Sequence, residues 1–139
     1  MIKIYYEFVK RKFLSLLFCH GRVLDVGCGR GSFPNRSLVG VDINRIALTE
    51  CNYKFKVIAD ACHLPFRNNS FDVCVESCCI PYAKNWKEIL PEMRRVGKKC
   101  YLIEQIRNRK RPHWFSLLEL NHMGKIVFCV LRTFVLRVS

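Results

Sequence analysis

Val23-Leu24-Asp25-Val26-Gly27-Cys28-Gly29-Arg30-Gly31 is the stretch on which the fold turns. The run at 22–26, rich in β-branched and aliphatic residues, stops abruptly at three glycines in alternate positions, as a buried strand running into a tight turn would. Glycine lacks the Cβ that would block close approach of the backbone, so such a turn can lie against a ligand. A dinucleotide-binding turn needs the spacing G-x-G-x-x-G. Here the third glycine comes one residue early and an acid, Asp25, precedes the loop, so the spacing disfavours a nicotinamide dinucleotide. The expectation is a strand and a ligand-binding turn over residues 23–32.

Outward from this turn, strand-like and helix-like stretches alternate. Residues 38–43 form an apolar run that carries the acid Asp42, and a short helix is predicted over 46–51 after the cap candidate Asn44. A third strand at 56–59 is closed by Asp60, and a fourth is predicted at 71–75. Trp86, Ile89, Leu90, Met93 and Val96 mark a helix face, with Pro91 expected to kink the helix or to lie near its start. A fifth strand is predicted at 101–106. Before the turn, Tyr5, Val9, Phe13, Leu16 and Leu17 recur at helical spacing. After the fifth strand come a basic loop at 107–111, a helical stretch at 114–123 and one or two strands within 125–138.

This rhythm argues for parallel strands joined by right-handed crossovers, with ligands at their carboxyl ends. The fold class expected is α/β, a Rossmann-like three-layer sandwich. Its twisted sheet is mostly parallel, with room for an antiparallel C-terminal strand. At 139 residues the chain suits one domain: an N-terminal helix at 1–20, a cofactor-binding core at 22–106, and a basic loop with a C-terminal helix and strand segment at 107–139.

The ordered set of motifs resembles the class I S-adenosylmethionine-dependent methyltransferases, and more narrowly the methyltransferase domain of ubiquinone and menaquinone biosynthesis. The resemblance rests on Asp25-Val26-Gly27-Cys28-Gly29-Arg30-Gly31, on Asp42, on Asp60-Ala61, and on Leu64-Pro65-Phe66 followed by Ser70-Phe71-Asp72. Glu92 to Val96 and the strand from Tyr101 extend it. It implies S-adenosylmethionine as the cofactor. By that resemblance Gly27, Gly29 and Gly31 let the loop pass under the donor's methionyl and ribose parts, and Asp25 orders the loop near the methionine end. Asp42 accepts from the ribose hydroxyls, a task suited to paired carboxylate oxygens. Ile43 packs on adenine, Asp60 accepts from the adenine amine, and the Ala61 backbone N–H meets a ring nitrogen. Glu76 and Ser77 lie near the meeting point of donor and acceptor. One departure stands out: only ten residues separate Gly31 from Asp42, and they include Pro34, so the family's first crossover helix is cut to a turn or two.

Methyl transfer from a sulfonium is an in-line displacement that positioning alone can promote. The residues therefore say more about the donor than about the acceptor. Glu76, Tyr82 and His63 are the weak catalytic candidates, and Cys78 and Cys79 are read as small apolar loop residues in preference to a nucleophilic pair. The acceptor expected is a small molecule or a nucleic acid, and the competing reading is a non-catalytic subunit or nucleic-acid-binding adaptor. A formal net charge of +13 favours polyanions. The cations cluster at Arg94, Arg95, Lys98, Lys99, Arg107, Arg109, Lys110 and Arg111, followed by His113, Trp114 and Phe115, a pattern suited to RNA or DNA contact. Nine cysteines without paired Cys-x-x-Cys knuckles, and no cleavable leader at the N-terminus, lead to the expectation of a reduced, cytoplasmic, metal-free chain. No membrane span is expected, and the apolar segment 126–138 is a candidate homodimer contact.

Overall fold

The computed structural model describes residues 21–31, 33, 38–77, 79–105, 124–130 and 133–138. The helices expected over 1–20 and 114–123, the basic loop at 107–111 and Cys78 lie outside the described residues.

Seven strands form one sheet: β1 (Val23–Val26), β2 (Val39–Asp42), β3 (Phe55–Ile58), β4 (Phe71–Ser77), β5 (Gly97–Gln105), β6 (Gly124–Val130) and β7 (Thr133–Val138). Their spatial order is β3-β2-β1-β4-β5-β7-β6. The first five are parallel, whereas β7 runs antiparallel to both β5 and β6. The C-terminal stretch thus forms two strands that pair within the chain, extending the sheet beyond β5. Two α-helices are described, α1 (Arg45–Thr49) and α2 (Trp86–Val96), with a 3-10 turn at Ile80–Tyr82.

The central strands are covered on both faces, which is why they read as continuous apolar runs in place of an alternating pattern. One face packs Leu24, Val26, Cys74 and Leu102 under Ile89, Leu90, Met93 and Val96 of α2. The other packs Val23, Val73, Val75, Tyr101 and Ile103 with Phe33, Leu38, Leu48, Cys51 and Tyr53. Strand β3 differs. It is the outer strand beside β2, and Phe55 and Ile58 are exposed, as are Lys54 and Lys56.

Asn44 caps α1, its side chain accepting from the N–H groups of Ile46 and Ala47, both at 3.1 Å. Pro91 lies in the interior of α2 and not near its start. It cannot donate an N–H there, and the helix is held by its four buried apolar residues instead. Strand β5 begins directly at Gly97, the residue that closes α2. A Cβ on Gly97 would come within 2.6 Å of the Cys74 Cβ, so only glycine lets the chain turn this close to β4.

Arg95 pins the loop that enters β4. Its guanidinium donates to both Glu92 carboxylate oxygens at 2.6 and 2.8 Å, to the carbonyls of Phe66 and Leu64 at 2.7 and 2.8 Å, and to Asn68 Oδ1 at 3.1 Å. Glu92 in turn accepts the Leu64 N–H at 2.7 Å. The Arg95 hydrogen bonds, aided by the Leu64 N–H, hold the Glu92 carboxyl below its ordinary value of 4.5. A carboxyl with a lowered folded pKa contributes stability that is full above its unfolded value and is lost as pH falls through the folded one. Glu92→Gln is therefore expected to be less stable than the parent at pH 7, with the gap closing as pH falls below 4.5; thermal unfolding across pH 3–7 checks it. A gap independent of pH would show that the ion pair contributes nothing.

Asp72, which opens β4, accepts from Lys98 Nζ at 2.8 Å and from the Arg22 N–H at 2.9 Å. It ties the entrance of β1 to that of β5, far from the strands' carboxyl ends, in keeping with a structural role.

Candidate functional site

The turn after β1 folds down onto the end of β2. The N–H groups of Gly27 and Cys28 both donate to the Val41 carbonyl, at 2.8 and 3.0 Å, and the Gly31 N–H closes a turn on the Cys28 carbonyl at 2.9 Å. Gly27, Gly29 and Gly31 have φ of 67°, 53° and 85°. This left-handed region is costly for any residue with a Cβ. Their surroundings differ. A Cβ on Gly29 would meet nothing within 4 Å, whereas one on Gly27 would sit 2.3 Å from the Cys79 Cβ and 2.5 Å from its Sγ. Gly29 thus leaves space at the surface, and Gly27 makes room for the loop after β4.

Asp42 ends β2 beside this turn. Its Oδ2 accepts the Gly29 N–H and its Oδ1 the Asn44 N–H, each at 2.7 Å. Two backbone donors fix the carboxylate plane, and because each oxygen has two lone pairs, acceptor capacity remains on both.

A cleft of about 730 Å³ opens along the carboxyl ends of β1 to β4. Gly27, Gly29, Asp42 and Ile43 line one part of it, Asp60, Ala61 and Cys62 another, and Ser77, Cys79 and Tyr82 a third. Val41 and Ile89 supply apolar surface within it. Ile43 and Tyr82 are 70% and 67% exposed at its border. Asp60 is held in an Asx-type turn, its Oδ1 accepting the Cys62 N–H at 2.9 Å. Burial, aided by Asp60, pushes the Cys62 thiol up to about 11, so it stays protonated at neutral pH.

Three residues expected to bind the donor do not line the cleft. Asp25 is buried beneath the turn, and its Oδ2 accepts the Tyr53 hydroxyl at 2.7 Å. Gly31 faces Asn52, Cys51 and Tyr53. Glu76 is 0% exposed, and its Oε1 accepts the N–H groups of Cys79 and Ile80, shaping the 3-10 turn. Of the candidate catalytic groups, Tyr82 borders the cleft, whereas Glu76 supports its wall and His63 lies outside the lining. Among the described residues no group of three His, Cys, Asp or Glu side chains is placed to hold a metal ion.

The basic cluster is divided by the fold. Arg94 and Arg95 end α2 and Lys98 and Lys99 begin β5, so they sit at the amino ends of the strands, opposite the cleft. Arg95 and Lys98 are engaged with Glu92 and Asp72. Residues 107–111, which follow β5 on the cleft side in sequence, lie outside the described residues.

Sequence reasoning missed Tyr53, Lys84 and Asn85. The last two line the cleft beside Tyr82, and Tyr53 backs the glycine turn. None of the three belongs to a local motif, and only the fold brings them to the site.

Residues 24–100 match the family described as "Methyltransferase domain". Sterol 24-C-methyltransferase erg6 of Schizosaccharomyces pombe is 33% identical over 94 residues, covering 55% of this chain and 25% of its own length. The protein MJ1252 of Methanocaldococcus jannaschii is 39% identical over 82 residues, 55% of this chain and 32% of its own. The chain thus spans a quarter to about a third of the length of these curated relatives. Among solved structures, a SAM-dependent methyltransferase of Thermotoga maritima superposes with a TM-score of 0.75 at 18% identity, over 95% of this chain and 88% of that one. The strand order, the glycine turn and the match over residues 24–100 together place this chain in the S-adenosylmethionine-dependent methyltransferase-domain family.

Proposed function

We propose that the chain transfers a methyl group from S-adenosylmethionine, held across the carboxyl ends of β1 to β3, to a small acceptor entering beside Ser77, Tyr82 and Lys84. The observation that carries the reading is Asp42: a carboxylate fixed by two backbone N–H groups, with lone pairs left over, beside the open space at Gly29. That arrangement fits a vicinal diol. The exposed Ile43 and the polar edge of Asp60 and Ala61 fit an adenine base, one by apolar contact and the other by hydrogen bonding.

When bound, the donor supplies a methyl group already activated on sulfur. What remains for the chain is to hold both partners in line and to exclude water. Apolar Val41, Ile89 and Ala83 lining the cleft favour exclusion of water, and the Tyr82 ring lies exposed beside the acceptor's entrance. The basic residues at 94–99 lie at the opposite end of the sheet, which favours a small molecule over a nucleic acid as acceptor. Cys28, Cys51, Cys62, Cys74, Cys79 and Cys100 are free thiols, which suits a reducing cytoplasm. Among the described residues no helix is long and apolar enough to cross a membrane.

The test is incubation of the chain with donor labelled in its methyl group and a cell extract, followed by separation of small molecules, RNA, DNA and protein. Label is expected among the small molecules. Label in nucleic acid would reassign the acceptor, and no transfer to any fraction would favour a non-catalytic subunit.

A further inference from the structure

Tyr53, in the segment between α1 and β3, packs behind the glycine turn. It is 3% exposed. Its hydroxyl donates to Asp25 Oδ2 at 2.7 Å and accepts the Phe33 N–H at 3.0 Å. Asp25 stands two residues before Gly27 and Phe33 two residues after Gly31, so a single oxygen ties both stems of the turn. The ring completes the contact. Its edges lie 3.2 Å and 2.7 Å from where Gly31 and Gly40 would carry a Cβ, so these two glycines make room for it.

We propose that Tyr53 is a positioning residue for the amino-acid end of the donor, clamping the two stems of the Gly27–Gly31 turn so that the turn is formed before the ligand arrives. The inference rests on the donor-binding reading above. Preformed loops bind more tightly because ordering is not charged to the binding step. Asp42 keeps its own tie to the turn through the Gly29 N–H, and Asp60 sits on a separate strand end, so loss of the clamp bears more on the methionine moiety than on the nucleoside. Burial, and then Asp25, push the Tyr53 hydroxyl above its ordinary range, so it remains a proton donor at all working pH values.

Calorimetry with two probes tests this. S-adenosylhomocysteine carries the amino-acid end, and 5′-methylthioadenosine lacks it. Tyr53→Phe, with folding followed by circular dichroism, is expected to weaken S-adenosylhomocysteine by about tenfold or more, the scale of the two buried hydrogen bonds it removes, and 5′-methylthioadenosine by clearly less. Unchanged affinity for S-adenosylhomocysteine, or an equal loss for both probes, would overturn the clamp while leaving the donor site standing. Failure of the unmodified chain to bind either probe would remove the donor reading and this inference with it. Should Tyr53→Phe not fold, hydrogen exchange in the unmodified, ligand-free chain decides: the Phe33 amide is expected to be as protected as the amides of β4, and exchange at the rate of an open loop would overturn the proposal.

Discussion

Asp42→Ala is expected to weaken binding of S-adenosylhomocysteine by about a hundredfold or more. Hydrogen bonds to a charged group contribute roughly 1.5–3 kcal/mol each, and two ribose hydroxyls would be served by this one carboxylate. The substitution also releases the N–H groups of Gly29 and Asn44, which lose the acceptors now 2.7 Å away, so the turn loosens as the ligand contact disappears. Asp42→Asn separates the two contributions. An amide keeps one acceptor oxygen, so it should hold one of the two backbone N–H groups and lose most of the charge-assisted gain. Its expected loss is intermediate, about tenfold. Calorimetry on the three chains reads the series, and an Asp42→Ala chain that binds like the parent would mean that the ligand lies elsewhere in the cleft.

The second large effect is on stability. Gly27→Ala is expected to destabilise the fold by about 3 kcal/mol, combining the cost of a Cβ in the left-handed region with overpacking against Cys79. Gly29→Ala adopts a similar φ but meets open space, so it should cost only about 1 kcal/mol. In a Gly27→Ala, Cys79→Gly double variant the overpacking part should be recovered and the conformational part should remain. Urea unfolding gives the four values, and equal losses at Gly27 and Gly29 would show that the Cys79 contact is without consequence.

Much of the architecture was readable because its signals are local. The apolar runs of β1, β2 and β4, the glycine turn, the Asn44 cap and the buried face of α2 each declare themselves within a dozen residues, and Asp42 and Asp60 were recognisable as acids at strand ends. Glu76 shows where such reading stops. An acid at the end of a strand looks like a ligand contact, but the Glu76 side chain is fully buried and outside the cleft lining. Its Oε1 serves the chain's own amides. Asp25 follows the same logic, because its partner Tyr53 lies 28 residues further on and no spacing rule links the two. The basic residues are divided for a topological reason. Their closeness in sequence spans the whole length of β5, so one group falls at the foot of the sheet while 107–111 follows its other end.

The outer strand β3 gives part of that surplus charge a use that needs no polyanion. Its exposed Phe55 and Ile58 would make it a template for adding a foreign strand, the first step of edge-to-edge aggregation. Lys54 and Lys56 flank Phe55 on that same edge, so any incoming strand of similar composition meets like charge before it can form its first hydrogen bond. Part of the basic character of this chain thus acts as insulation that keeps an unfinished sheet from growing.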